Sequence, residues 1–290
     1  MLHGFLNIDK SSGMTSHDVV GRVRRLAGQK RVGHGGTLDP AATGVLPVAL
    51  GDATRLLEFL VEGRKRYRAL IKLGVVTTTD DAEGAVVAEQ PVPEIAEAEL
   101  LATLATFVGV IQQIPPMYSA IQVGGRRLYD LAREGTTIEL APRTVEIDQL
   151  TLLGWESPLL SLDVTCGKGT YIRAIARDLG AALGCGAHLQ ALRRTAVGPL
   201  TSETGVSLDA LAADPALLVE RLLPPESAVA HLPRVDLDLD AARLVRNGMP
   251  LALAEPLVGD TSRAHADGAL LALLRYDGAV WRPFKVFSWR

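Results

Sequence analysis

"RVGHGGTLDPAATGVLPVAL", residues 31 to 50, places four glycines (Gly33, Gly35, Gly36 and Gly44) within twelve positions around one carboxylate, Asp39. Glycine this dense defeats both regular structures, so the stretch up to Gly44 reads as a loop. "GVLPVAL" is then a short continuous apolar run, the pattern of a buried strand. An aspartate beside a proline, as Asp39 is beside Pro40, is commonly a turn or cap residue. Taken alone, that reading outweighs a catalytic one, and the decision falls to the neighbouring segments.

Upstream, "TSHDVVGRVRRLAG" reads as a helix capped by Thr15 or Ser16, with Val19, Val20, Val23, Leu26 and Ala27 on one face and Gly28 as its stop. Residues 22–31 hold five basic groups (Arg22, Arg24, Arg25, Lys30 and Arg31) and no acid. Such a run is usually only a solvated face, and its alternative is a polyanion contact. Downstream, "GDATRLLEFLVEG" reads as a second helix with Asp52 at its N-cap. "KRYRALIKLG" alternates, Tyr67, Ala69, Ile71 and Leu73 against Arg66, Arg68 and Lys72, which is a strand with one basic face. "TTTDDAEG" is a polar turn before the strand "AVVAE", and "PEIAEAELLATLATFVG" is an amphipathic helix. Residues 112–143 are irregular and then briefly helical. "RTVEIDQLTLLGWE" and "LLSLDVTC" read as neighbouring strands. "GKGTYIRAIARDLGAALG" is a glycine turn running into a helix with the stripe Ile172, Ile175, Ala176 and Leu179. From about residue 206 a helix leads to a Pro-rich link, and residues 233–290 are mostly short strand-like runs with glycine turns, a small β-rich second domain.

The 290 residues are 48% hydrophobic with a net charge of −3, enough for a sizeable core and silent on a polyanionic partner. Two cysteines, Cys166 and Cys185, make no disulfide framework and suit a reducing cytosol. The first residues lack a signal pattern, and the apolar runs are too short for a membrane span, so a soluble cytoplasmic protein is expected. No metal is expected: Cys185 and His188 make one ligand pair at best, where structural zinc usually shows two. "GKGT" fails as a phosphate loop, because Leu162 stands where the leading glycine belongs and Gly169 where Ser or Thr should follow Lys168. What remains is a constellation. Asp39 follows a basic segment, Tyr67 lies between Arg66 and Arg68, Tyr171 and Arg173 sit at a turn-to-helix junction, and "AHLQALRRT" adds His188, Arg193 and Arg194. A carboxylate, tyrosines for stacking and scattered arginines suit chemistry on a nucleotide.

These motifs together resemble a known family. "HGGTLDPAATGVLP" is similar to the signature of the TruB family of tRNA pseudouridine synthases, which modify uridine 55 of the T-loop. "LNIDKSSGMTSHDVV", "KRYRALIKLG", "TTTDDAEG", "IPPMYSAIQVGGRRLYDLAREG", "GTYIRAIARDLG" and "GAHLQALRRTAVG" resemble successive family blocks in the family's order, over most of residues 4–200. "LPRVDLDLDAARLVRNGMPL" resembles the start of the C-terminal PUA-type RNA-binding domain of bacterial members. The resemblance implies an α+β fold, a mixed and mostly antiparallel sheet flanked by helices. It implies a catalytic domain over 1–232, a PUA-like domain over 233–290, and a mobile insertion at about 113–145 for which Gly124, Gly125 and Gly135 are suitable hinges. It makes Asp39, Tyr67 and Arg173 catalytic, and Lys10, His34, Tyr171 and Leu192 substrate-binding. The partner is the tRNA T-arm, the enzyme a monomer, and no cofactor is required.

Two positions depart from the family pattern. Ser11 replaces a proline, which leaves the N-terminal turn less fixed, and Gln122 replaces a lysine, which removes one phosphate contact. Arg22, Arg25, Lys30, Arg31, Arg66, Arg68, Arg126, Arg127, Arg193 and Arg194 are the expected RNA-backbone contacts. Arg173 is expected to keep Asp39 ionised by pairing with both oxygens. Two other classes are weighed: a non-catalytic RNA-binding or chaperone module, and a glycosidase, which would need a second acid near Asp39 that no motif supplies.

Overall fold

The structure, a computed structural model, describes residues 1–119, 122–123, 126–128, 138–252 and 259–289. Its main sheet begins with β1 (Gly4–Lys10), β2 (Val32–His34), β3 (Thr43–Leu50) and β4 (Lys65–Leu73). A separate hairpin follows, β5 (Val75–Thr77) with β6 (Val86–Glu89). The chain returns to the sheet at β7 (Gly109–Gln113), and β8 (Gln122–Val123) pairs only with β9 (Arg126–Arg127). The sheet is completed by β10 (Arg143–Glu156), β11 (Leu159–Cys166), β12 (Ala187–Val197) and β13 (Leu200–Thr201). Across it the order is β1-β3-β12-β4-β11-β10-β7, with β2 on β3 and β13 on β12. The pairings are antiparallel except β3 with β12.

The alternation of β4 sets the two faces. Tyr67, Ala69, Ile71 and Leu73 are buried while Arg66 and Arg68 are exposed, as the period of two in the sequence requires. On the front face, the helix Ile172–Ala182 lays Ile172, Ile175, Ala176 and Leu179 against these β4 residues and against Leu160, Leu162 and Val164 of β11. Beside it the helix Ser16–Ala27 packs Val19, Val20 and Val23 on Leu6 and Ile8 of β1 and Leu46 and Val48 of β3. Thr15 and Asp18 form a capping box at its start, and Gly28, at φ 60°, closes its end. Leu192 of β12 touches both apolar clusters, so the seam between the two helical halves lies over β12.

The back face meets a second sheet, β14 (Arg234–Asp236), β15 (Thr261–Ala266), β16 (Ala269–Tyr276) and β17 (Trp281–Val286), in that order. The helix Leu239–Arg246, capped by Asp238, buries Ala242 and Val245 against this sheet. Leu270, Leu273 and Phe287 pack with Phe5, Val45, Ala49, Leu56, Leu60 and Val197 of the first unit in one continuous cluster. Lys285 pairs with Glu58 at 2.7 Å, and Arg55 lies 4.9 Å over the Phe287 ring while donating to the Val286 carbonyl.

Several local expectations are corrected. Residues 51–62 are a 3-10 turn, Gly51–Leu56, followed by the short helix Leu57–Glu62, and Asp52 caps neither; its carboxylate pairs with Arg31. The segment Ala187–Val197, where the sequence shows no clean alternation, is a strand, and Leu239–Arg246, within a stretch that reads as strand-like runs, is a helix. Of the insertion expected at 113–145, residues 120–121, 124–125 and 129–137 lie outside the described residues, and so do the hinges Gly124, Gly125 and Gly135. Among the described residues no helix is long and apolar enough to cross a membrane.

The shared cluster predicts the stability of the whole chain. Phe287→Ala removes a ring that is 4% exposed and should cost about 3–5 kcal/mol. The loss should appear as one cooperative transition at lower temperature in calorimetry. A separate early melting of the C-terminal sheet, with the main transition unmoved, would contradict a common core.

Candidate active site

The loop between β2 and β3 carries Asp39 to the front face at the seam. Its conformation is held from below. Arg194 of β12 is 1% exposed, and its guanidinium donates to the carbonyls of Val45 at 2.7 Å, Gly36 at 3.0 Å and Thr37 at 3.4 Å. Gly44, at φ 100°, lets the loop's exit pass so close to β12 that an added Cβ would stand 2.1 Å from the Arg194 carbonyl oxygen. The glycine therefore serves an internal backbone approach. Lys10, also 1% exposed, donates to the carbonyls of Ser11 at 3.0 Å, Met14 at 2.8 Å and Pro40 at 3.0 Å. It laces the turn that Ser11 was expected to loosen and fixes the residue after Asp39. Ser16, at the start of its helix, accepts from Leu38 N–H at 2.9 Å and donates to the Leu38 carbonyl at 3.2 Å.

Arg173, 6% exposed, faces this loop from the first turn of its helix. Its Nε lies 3.1 Å from Asp39 Oδ2, its Nη1 3.4 Å from Asp81 Oδ2 and 3.1 Å from the Thr79 carbonyl, and its Nη2 2.8 Å from the Tyr118 carbonyl. Pairing with both Asp39 oxygens is thus not found; one contact goes to Asp39 and the rest immobilise the guanidinium. Asp81 answers to Thr79 and the Glu83 N–H as well, and is the second carboxylate that the sequence did not reveal. One turn along the helix, Arg177 pairs with Asp80 at 3.1 Å. Both acids lie in "TTTDDAEG", which read only as a polar turn; the available signal was its adjacent acids set against arginines four apart on one helix.

The carboxyl of Asp39 is pushed above the ordinary aspartate range, chiefly by burial, with Arg173 opposing and Asp81 reinforcing the shift. It is hemmed in by protein, yet 39% of its side-chain surface still meets solvent. Tyr67, 7% exposed, lies in the front-face cluster opposite Arg194 in the β4–β12 register. Burial raises its phenol, and Arg194 pulls the other way, so the group is neutral at working pH. Tyr171 is the N-cap residue of the Arg173 helix, and burial raises its phenol too. Leu192 lies at the seam. His34 is edge-on to His17 at 5.4 Å, and burial lowers its imidazole and keeps it neutral.

Other expected contacts sit elsewhere. Arg194 and Lys10 are buried and satisfied by backbone carbonyls, so they hold the loop and offer no phosphate or substrate contact. Arg66, Arg68 and Arg193 lie on the back face, opposite Tyr67 and Arg194; Arg66 pairs with Asp163 at 2.7 Å and Arg193 with Asp9 at 2.9 Å. Arg31 is tied to Asp52 and Thr54. On the front, Arg22, Arg25 and Lys30 are exposed along and just beyond the helix Ser16–Ala27. Arg126 and Arg127 form β9, and their side chains lie outside the described residues. Cys166 and Cys185 are each buried in the front-face cluster, near opposite ends of β4, and His188 bonds Val75 and Gln190.

The fold class follows from solved structures. Chains in structures of an H/ACA RNP bound to a substrate RNA containing 2'-deoxyuridine and of a Cbf5-Nop10-Gar1 complex are similar to this chain at TM-scores of 0.74 and 0.76. Each is 29% identical to it and covers 98% of this chain and 85% of the other. The architecture is that of pseudouridine synthases. Residues 24–172 match the N-terminal domain of TruB family pseudouridylate synthases, 173–230 the tRNA pseudouridylate synthase B C-terminal domain, and 232–288 the C-terminal region of tRNA pseudouridine synthase II. The chain belongs to the TruB family. The tRNA pseudouridine synthase B of a Synechocystis species is 49% identical over 99% of this chain and 100% of its own. That of Gloeobacter violaceus is 52% identical over 82% of each.

The balance at Asp39 gives a pH prediction. A raised carboxyl loses its charge as pH falls through a value above about 3.9, so a reaction that needs the carboxylate falls off there. Arg173 lowers the value, so Arg173→Met should move the acid limb of the single-turnover rate to higher pH. Arg173→Lys keeps a charge without the fork and should lower the plateau roughly 10-fold or more. An acid limb unmoved in Arg173→Met would remove the arginine from this role.

Proposed function

We propose that the chain isomerises the T-loop uridine of tRNA, position 55, to pseudouridine, with Asp39 as the carboxylate that acts on the nucleotide. The observation that carries this is Asp39 itself, displayed on a rigidly held loop at an open seam with Arg173 at 3.1 Å. Pseudouridine formation breaks the N1–C1′ bond, turns the uracil over and joins C5 to C1′. The C5 proton leaves to solvent and N1 takes one up, nothing is oxidised and no group is imported, so a carboxylate and a shaped pocket suffice. Attack at C1′, attack at C6 and proton removal at C2′ all start from the ionised aspartate, and the fixed guanidinium favours that form.

The uridine lies in a folded RNA loop and must be flipped out, at a cost of a few kcal/mol. Tyr67, buried in the front-face cluster opposite Arg194, is the residue this reading assigns to stack on the extruded base and recover part of that cost. Leu192 lies at this seam, and Tyr171 and His34 complete the substrate-binding set of this reading. Arg22, Arg25 and Lys30 supply the phosphate contacts on this side. Residues 233–290 are the PUA-like RNA-binding unit beside the catalytic one at 1–232. The enzyme works as a monomer in the cytoplasm, where its substrate is.

Asp39→Asn should abolish tritium release from T-arm RNA labelled at C5 of uridine while tRNA affinity stays nearly unchanged. Equal loss of binding and turnover would point to a structural aspartate, and retained turnover would end the proposal. The front-face assignment is tested by salt. Arg25→Ala should reduce the slope of log affinity against log salt by roughly 1, whereas Arg68→Ala should leave it unchanged. The reverse result would put the RNA on the back face.

A further inference from the structure

We propose that Gln113 is a positioning residue for catalysis: by clamping the backbone of Tyr171 it sets where Arg173 meets Asp39. The inference rests on the reading of Asp39 and Arg173 above. Gln113 ends β7, the edge strand, and is 2% exposed. Its Nε2 donates to the Tyr171 carbonyl at 3.1 Å, and its Oε1 accepts from the Tyr171 N–H at 2.9 Å. A primary amide presents a donor and an acceptor side by side, as a peptide group does, so this side chain stands in for a neighbouring strand.

Tyr171 is where such a clamp has leverage. It is extended, at φ −103° and ψ 113°, and starts the helix Ile172–Ala182 with no side-chain cap. Two residues on, Arg173 must reach Asp39, Asp81 and two carbonyls at once. A small rotation at Tyr171 swings that guanidinium. The clamp itself is anchored, because Gln113 pairs with Arg143 in the β7–β10 ladder. From Gln113 the chain runs five residues to Tyr118, whose carbonyl receives Arg173 Nη2 at 2.8 Å. Gln113, Tyr171, Arg173 and Tyr118 thus close a ring, with the amide as the link that is neither covalent nor charged.

Gln113→Met removes both bonds at nearly constant volume. Single-turnover pseudouridine formation at saturating T-arm RNA should fall roughly 10- to 100-fold, with the dissociation constant for that RNA within about twofold of wild type. In an Arg173→Lys background the same change should cost less than about threefold, since the group it positions is already compromised. A folded Gln113→Met enzyme at wild-type rate beside an impaired Arg173→Lys would overturn the inference alone. So would fully additive losses, or a rate loss accounted for by weaker RNA binding. Wild-type turnover in Arg173→Lys would instead overturn the reading on which the inference rests. If the methionine variant does not fold, Gln113→Asn, which keeps the amide and shortens its reach by one methylene, carries the same expectations and the same overturning results.

Discussion

The buried guanidinium of Arg194 holds the site together. It comes from β12, an interior strand of the sheet, and ends on three carbonyls of the loop that displays Asp39 and of the strand that follows. Taking an arginine out of water costs several kcal/mol. Three charge-assisted bonds at about 1.5–3 kcal/mol each offset that, and only if the loop keeps the conformation that presents all three carbonyls. The glycine loop is therefore flexible by composition and fixed by contact. Lys10 repeats the device from β1 with its own three carbonyls, one of them belonging to Pro40. Two cations, one expected at the substrate and one at the RNA backbone, are ligands for the protein's own backbone.

The same logic explains why Asp39 needs a partner that is itself restrained. Burial pushes the carboxyl up, and Asp81, on the other side of Arg173, adds to that push. A freely rotating arginine could abandon Asp39 for Asp81. The Thr79 and Tyr118 carbonyls prevent this by engaging Nη1 and Nη2, leaving Nε for Asp39. The result is a carboxylate held by a single guanidinium contact, with part of its surface left open to solvent.

Much of the fold was legible from periodicity. The capped helix Ser16–Ala27, the alternating β4, the β10–β11 pair and the helix after "GTY" all lie where pattern and caps placed them. β12 was not legible. It runs through the middle of the sheet, but its register shifts between Leu189 and Ala191 and again between Arg194 and Ala196. Each shift breaks the alternation that identifies a strand. The helix Leu239–Arg246 was hidden by glycines and short apolar runs around it, although Asp238 before "LDAARLVR" is an ordinary cap signal. At the site, Asp39 was legible because its loop is compositionally singular. Asp81 and Gln113 were not, since a turn acid and a strand-end glutamine look like many others until the fold brings them to Arg173 and Tyr171.

The arginines teach a stricter lesson. The alternation that puts Tyr67 inward also puts Arg66 and Arg68 outward, so no flat strand could offer all three to one ligand. Assigning both arginines and the tyrosine to the same RNA conflicted with the period that identified the strand. The same holds on β12, where Arg194 shares its face with Tyr67 and Arg193 does not. Once faces are respected, the basic residues divide by task. Arg194 and Lys10 shape the loop, Arg66 and Arg193 pair with Asp163 and Asp9 on the back, and Arg22 (3.8 Å from Asp209), Arg25 and Lys30 are exposed along and just beyond the front helix. A net charge near zero is compatible with an RNA partner because only this last group has to face it.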